Sequence, residues 1–241
     1  MISKANTFSV GRPGGSSALA WGLLLALFAI SPTGALPQSG AANTNPNSLV
    51  PPNFSVLTAK WWKWALETPT PSNPFIDTSG INCAVGQSGS VWFLAGGLFG
   101  AGNITRQCTI PAGKILLIPV ANTVYIPFKT DPIRNAIFSG MNATGFIDSA
   151  TNLNAQIDGV PVSNLSDYRV KAKAVAIVLP ADNIVGLPPL PAGPYAPSAA
   201  DGYYLPIVLS AGLHTIHVHG EFPDGMGGIV VEDATADLTV L

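Results

Sequence analysis

Leu213-His214-Thr215-Ile216-His217-Val218-His219-Gly220-Glu221-Phe222 is the stretch that decides the fold. Successive side chains of a strand point to opposite faces. His214, Ile216 and Val218 therefore share one face, and Leu213, Thr215, His217, His219 and Glu221 share the other. The branched residues Ile216 and Val218 mark theirs as the core face. A strand that is apolar on one side and polar on the other belongs to a sheet with one face in water.

Similar short runs follow one another through most of the chain. Ser90 to Ala95, Ile104 to Ile110, Lys114 to Val120, Asn154 to Val162, Val170 to Leu179, Tyr203 to Leu209 and Ala234 to Leu241 all read as strands. Asp158-Gly159 inside one of them is a strong signal for a tight hairpin. At the start of Val170 to Leu179, Lys171 and Lys173 fall on one face, with Ala172 and Ala174 on the other. The glycine-rich connection Gly96 to Gly102 lacks the lysine and following helix of a phosphate-cradling loop. Pro180 to Asp201 carries six prolines and reads as a long loop.

One helix is expected, from Ser55 to Glu67, with Leu57, Trp61, Trp64 and Ala65 recurring on one side. Ser55 is placed to cap its start and Thr68-Pro69 to end it. A short helix around Ile133 to Ser139 is a further option within an ambiguous stretch. Regular short strands, frequent turns and one early amphipathic helix predict a mainly all-β domain, a β-sandwich or jelly roll.

The ends of the chain frame that domain. Lys4 and Arg12 precede an uncharged apolar run, Ala18 to Ile30, which Pro32 breaks before the small residues Thr33-Gly34-Ala35. That is the layout of a secretory signal peptide over residues 1–35, with a run too short to span a bilayer. A polar linker over 36–53 leads to a single domain over 54–241, and no later segment predicts a membrane span. The expected location is therefore secreted or periplasmic.

Composition narrows the function. All 13 acidic residues follow Ala35, against 9 of the 11 basic ones, so the exported part carries a net charge of −4. Charged residues make up 10% of the chain, where about 25% is ordinary for soluble domains. No cluster of lysine and arginine is present to neutralise phosphates, which excludes nucleic acid as a partner. The two cysteines, Cys83 and Cys108, default to a disulfide in an oxidising compartment. Thiolate ligation of a metal is the alternative, and it lacks a close-paired spacing.

The stretch Trp61-x-x-Trp64-Ala65-Leu66, Asn73-Pro74, Asp77-x-x-Gly80-x-x-Cys83 and Gly86-Gln87-x-Gly89 continues into Val91-Trp92-Phe93-Leu94-Ala95-Gly96. Cys108, Pro111-Ala112-Gly113-Lys114 and Pro119 follow. This pattern resembles a family of uncharacterised exported proteins of bacteria. Asp158-Gly159, Tyr168-Arg169 and Gly212-x-His214-Thr215-Ile216 extend the resemblance over most of the exported part. It implies export and a β-rich domain, and it carries no established activity.

Two sites compete on this scaffold. Trp61, Trp62 and Trp64 cannot all share one helix face, so at least one is expected to reach outward or into a second groove. They form either a sugar-stacking platform or an aromatic plug on the core. His217, His219 and Glu221 line one strand face and can supply a site for a divalent transition metal, copper, zinc or iron. Asp237 is a candidate fourth group if its strand lies alongside. The Glu221 spacing departs from the cupin pattern, and no further histidine follows. Catalytic motifs built on a GxSxG elbow or an HExxH helix are absent. The leading expectation is a non-catalytic binding or structural module for an extracellular polymer or protein partner; a metal-dependent enzyme is the alternative.

Overall fold

Strictly alternating strands bury one face, and strands apolar throughout bury both. This chain contains each kind, and the strands buried on both faces lie together in one sheet. The computed structural model describes residues 53–97, 102–185, 190–223 and 227–241. The expected signal peptide and nearly all of the linker lie outside the described residues.

Among the described residues nine strands form two sheets: β1 (Val91–Phe93), β2 (Gly102–Ile110), β3 (Ile115–Tyr125), β4 (Thr151–Ile157), β5 (Val160–Pro161), β6 (Arg169–Leu179), β7 (Gly193–Val208), β8 (Gly212–Pro223) and β9 (Ile229–Val240). One sheet has the order β1-β3-β7-β6, the other β2-β9-β8-β4-β5. Pairing is antiparallel except for β1 with β3 and β2 with β9, which run parallel. The expected all-β sandwich is thus present.

Between the sheets lies one apolar core. Ile110, Leu116, Ile118, Ile157, Leu205, Ile216, Val218, Leu238 and Val240 meet there. The four-stranded sheet is also buried on its outer side, where α1 (Phe54–Glu67) covers it. Leu117, Val175, Ile177 and Leu179 pack there against the helix. Hence β3 is buried residue after residue over Leu116–Asn122. Among the described residues no helix covers the matching side of the five-stranded sheet, so β2, β8 and β9 alternate.

All three α1 tryptophans are buried, with Trp61 wholly enclosed. Each indole N–H has an acceptor: Leu94 O at 2.8 Å, Tyr204 Oη at 2.9 Å and Val85 O at 2.8 Å for Trp61, Trp62 and Trp64 in turn. The sugar-stacking expectation therefore fails, because these rings are packed against protein. Trp61 meets Trp62, Phe75 and Tyr204 edge-on, an arrangement the ring quadrupoles favour. The Ser55 cap is also corrected. Asn53 occupies that position without a side-chain cap, and Ser55 lies inside the helix.

Asn73 closes the other end of α1. Its amide donates to Ala65 O and Thr68 O at 2.9 and 2.6 Å, and its oxygen accepts from Phe75 N at 2.9 Å. Much of the quoted family-like pattern proves to be scaffold of this kind. Gln87 donates to Cys83 O and Phe93 O and accepts from Phe93 N. Gly80 has φ +91°, and a Cβ there would lie 2.1 Å from Gln107 O, so only glycine lets this turn lie against β2. The Cys83–Cys108 disulfide is formed across that junction. In the chain-entropy account, closing its 25-residue loop is worth about 3.5 kcal/mol.

Three local expectations change. A second full helix, α2 (Ala136–Asp148), replaces the short helical option, and Asn135 caps it by accepting from Phe138 N at 2.9 Å. The long proline-rich loop is shorter than expected, because β7 begins at Gly193. A register shift in β6 between Ala172 and Val175, with Ala174 in the left-handed region at φ 55°, breaks the simple two-face alternation. Ala174 is exposed there rather than paired with Ala172 on the buried side. The hairpin at Asp158-Gly159 is present, with φ 51° and 76°, joining Ile157 to Val160.

Among the described residues, no helix is long and apolar enough to cross a membrane.

Candidate binding face

The uncovered side of the five-stranded sheet carries the predicted histidines. Its composition follows from the alternation: whatever does not enter the core points outward. The pairing then sets these residues in rows. Asn103, Asp233, His219 and Asn154 face one another across β2, β9, β8 and β4. One step along, Thr105, Thr235, His217 and Gln156 form the next row. Gln107, Asp237 and Thr215 form a third, and Thr109, Thr239 and Leu213 a fourth. Of these side chains only Leu213 is a large apolar one.

His217 and His219 do lie side by side, as the alternation predicts, and both turn toward Asp233. His219 Nδ1 is 2.8 Å from Asp233 Oδ2, and His217 Nε2 is 3.2 Å from Asp233 Oδ1. The other His219 nitrogen is 3.4 Å from Glu221 Oε1. Asn103 donates to Asp233, and Asn152 donates to Glu221 Oε2 at 2.8 Å. Burial alone would raise the Asp233 carboxyl, but the hydrogen bonds from His219, His217 and Asn103 outweigh it and hold the group below its ordinary range.

The outcome differs from the expected metal centre. Among the described residues no group of three or more His, Cys, Asp or Glu side chains is arranged to hold a metal ion. The imidazoles of His217 and His219 are engaged with Asp233, and Glu221 with Asn152 and His219. Asp237 is not part of the cluster. It sits across from Thr215 and accepts from that hydroxyl at 3.1 Å. Asp233, two strand repeats away, takes the place expected of it. The alternation puts both carboxylates on the right face, but only the β8–β9 register distinguishes them.

His214 points inward and is structural. Its Nε2 lies 3.1 Å from Ser210 O, an oxygen that only accepts, so that nitrogen carries a proton. Nδ1 lies 2.8 Å from Asp158 Oδ2, and Asp158 Oδ1 accepts from Thr215 N at 2.9 Å. The histidine thereby ties the hairpin turn to β8. Beside it, a shallow depression of about 730 Å³ opens on the polar face, lined by Gln107, Thr109, Asp158, Thr215, Asp237 and Thr239 among others.

Arg106 and Glu232 are among the buried charged groups of the described residues that escaped the sequence reading. Arg106 enters the interior, where its guanidinium donates to Asp77 O (2.6 Å), Gly96 O (2.8 Å) and Phe75 O (2.9 Å). Burial lowers its pKa to about 10, with the Asp77 charge acting the other way. Glu232 faces inward on β9, and burial raises its carboxyl to about 8 against one hydrogen bond from the Asn122 backbone. An alternating strand marks such positions as inward, but nothing in the sequence marks the charge as tolerated there.

No family pattern, curated protein or solved structure matches this chain. The site's own geometry carries the functional argument.

Proposed function

We propose that this is an exported, non-catalytic binding module that lays the polar face of its five-stranded sheet against an extracellular polymer rich in hydroxyl groups. The observation that carries the reading is the set of rows across β2, β9, β8 and β4. Amides, hydroxyls, carboxylates and imidazoles stand there in register. Sugar hydroxyls both donate and accept, and a face that mixes donors with acceptors can satisfy them in either sense. Few of these groups are cationic, which suits a neutral or weakly charged polymer rather than a polyanion. The disulfide and the leader-like start of the sequence support export.

The test is depletion of the purified protein from solution by insoluble cellulose, chitin and peptidoglycan, compared with a His217→Ala, Thr235→Ala variant. Retention on one polymer, weakened in the variant while its far-ultraviolet spectrum is unchanged, supports the reading. Absence of retention on all three, or equal retention of the variant, removes it.

The convergence of two imidazoles on Asp233 is what a metal-dependent enzyme would build on, with His217, His219 and Glu221 or Asp233 as ligands to copper, zinc or iron. That reading requires Asp233 to exchange both hydrogen bonds for an ion. Elemental analysis of untagged protein after exposure to these ions distinguishes the two. Near-stoichiometric metal that is lost in His217→Ala would replace the binding-module reading with the enzymatic one.

A further inference from the structure

On the other sheet, α2 and the β6–β7 pair enclose a groove of about 350 Å³. That volume falls within the range of small-molecule sites, about 300–1,000 Å³. Ala172, Ala199 and Ala200 form its floor, and their small side chains keep it deep. Ile137 and Met141 form the helical wall and remain 74% and 68% exposed, one turn apart on the same side of α2. Gly140 lies between them, and a Cβ built there meets nothing within 4 Å. The groove is therefore open where a side chain would ordinarily fill it.

Its rim is cationic. Lys171 and Lys173 stand along β6 at the groove edge. Lys171 Nζ lies 3.7 Å from Asp201 Oδ2, a carboxylate that Arg169 already engages. Lys173 makes no ion pair among the described residues. The β6 register shift after Ala172 leaves Lys173 pointing to solvent beside the apolar slot.

We infer that this groove binds a single-chain anionic amphiphile, with the alkyl chain along Ile137, Gly140 and Met141 and the carboxylate at Lys173. Charge complementarity selects this occupant. A neutral apolar guest would leave the lysine rim unused, and a cationic one would be repelled. Exposed apolar surface on a helix with so few charges is explained by the same guest. The site is independent of the polar face and does not depend on its reading.

The experiment is titration calorimetry of the full exported chain with dodecanoate below its micellar concentration, with dodecyltrimethylammonium as the control of opposite charge. Binding of one dodecanoate per chain is expected, and shortening the ligand should weaken it about fourfold per methylene. Gly140→Leu fills the slot while favouring the helix. It should weaken dodecanoate at least about tenfold, the loss of two methylenes of contact. Lys173→Glu should weaken dodecanoate and leave dodecanol unchanged.

Equal binding of the two surfactants, or unchanged binding by the Gly140→Leu variant with its melting temperature intact, would overturn the proposal. So would a concentration-dependent dimer in sedimentation that the same variant abolishes, which would give the groove to a second copy. Binding confined to phosphatidylglycerol vesicles, with none to monomeric dodecanoate, would overturn it in favour of a membrane surface.

Discussion

Trp62 Nε1 donates to the Tyr204 hydroxyl at 2.9 Å, and through that bond the N-terminal helix is fastened to a strand 142 positions later. Asn122 donates to the same oxygen at 3.1 Å, so one hydroxyl serves α1, β3 and β7 together. Tyr204 is wholly buried, and its pKa is pushed above the ordinary phenol range, chiefly by burial.

Tyr204→Phe keeps the ring and removes that acceptor. Two buried donors then lose their partner, at roughly 1–3 kcal/mol each where no water replaces it. Urea denaturation should show a loss of about 2–6 kcal/mol with an unchanged m-value. A loss below about 0.5 kcal/mol would mean that the helix is held by ring packing alone.

Arg106→Lys tests a different kind of anchor. The guanidinium spans the carbonyls of Phe75, Asp77 and Gly96, segments that lie on either side of the disulfide-bonded turn. Lysine keeps the charge but cannot present a planar fork to three separate oxygens. The variant should fold and lose about 2–4 kcal/mol, read by the same denaturation. Equal stability would show that charge, not geometry, is what the interior requires.

Glu232 makes the stability of the protein depend on pH with a sign opposite to that of its surface carboxylates. Its carboxyl titrates near 8 in the fold, against 4.5 for an ordinary glutamate. Between those values the folded chain holds a proton that the unfolded chain has lost, so stability falls as pH rises. Each unit of difference corresponds to about 1.4 kcal/mol. Asp77 and Asp233 work the other way. Burial would raise both, but hydrogen bonds from Asn82 and Ser79 on Asp77, and from the two histidines on Asp233, leave each below 3.8. Their contribution is present above that value and disappears as pH falls through their folded pKa. A maximum in melting temperature is therefore expected on the mildly acidic side of neutrality. Glu232→Gln should flatten the decline from pH 5 to pH 8 and raise stability at the upper end. A decline of unchanged slope in that variant would assign it to another group.

How far the chain could be read in advance depended on whether neighbours were needed. β8 was legible because its alternation is local: His217, His219 and Glu221 do share the outer face. The identity of the carboxylate beside them was not legible, since Asp233 and Asp237 share a face and only the register selects between them. β7 was hidden by its own prolines. Pro194 and Pro197 lie where β6 alone flanks it, and Pro206 where β3 alone does. Each part is thus an edge, where a missing N–H costs little. α2 was obscured by Gly140, Asn142 and Gly145, poor helix formers that tertiary contacts with β3 and β7 override. The tryptophans illustrate the converse: divergent directions on a helix need not mean exposure when turns, strands and a tyrosine enclose it from several sides.

The parallel pairing of β2 with β9 also has a bearing on timing. Asn103 and Asp233 meet across that ladder although 130 positions separate them. During synthesis β2 emerges long before the strand it adheres to, and on its other side no strand of the sheet waits for it. Contacts this distant form slowly. The five-stranded sheet therefore cannot close until its C-terminal strand has been made.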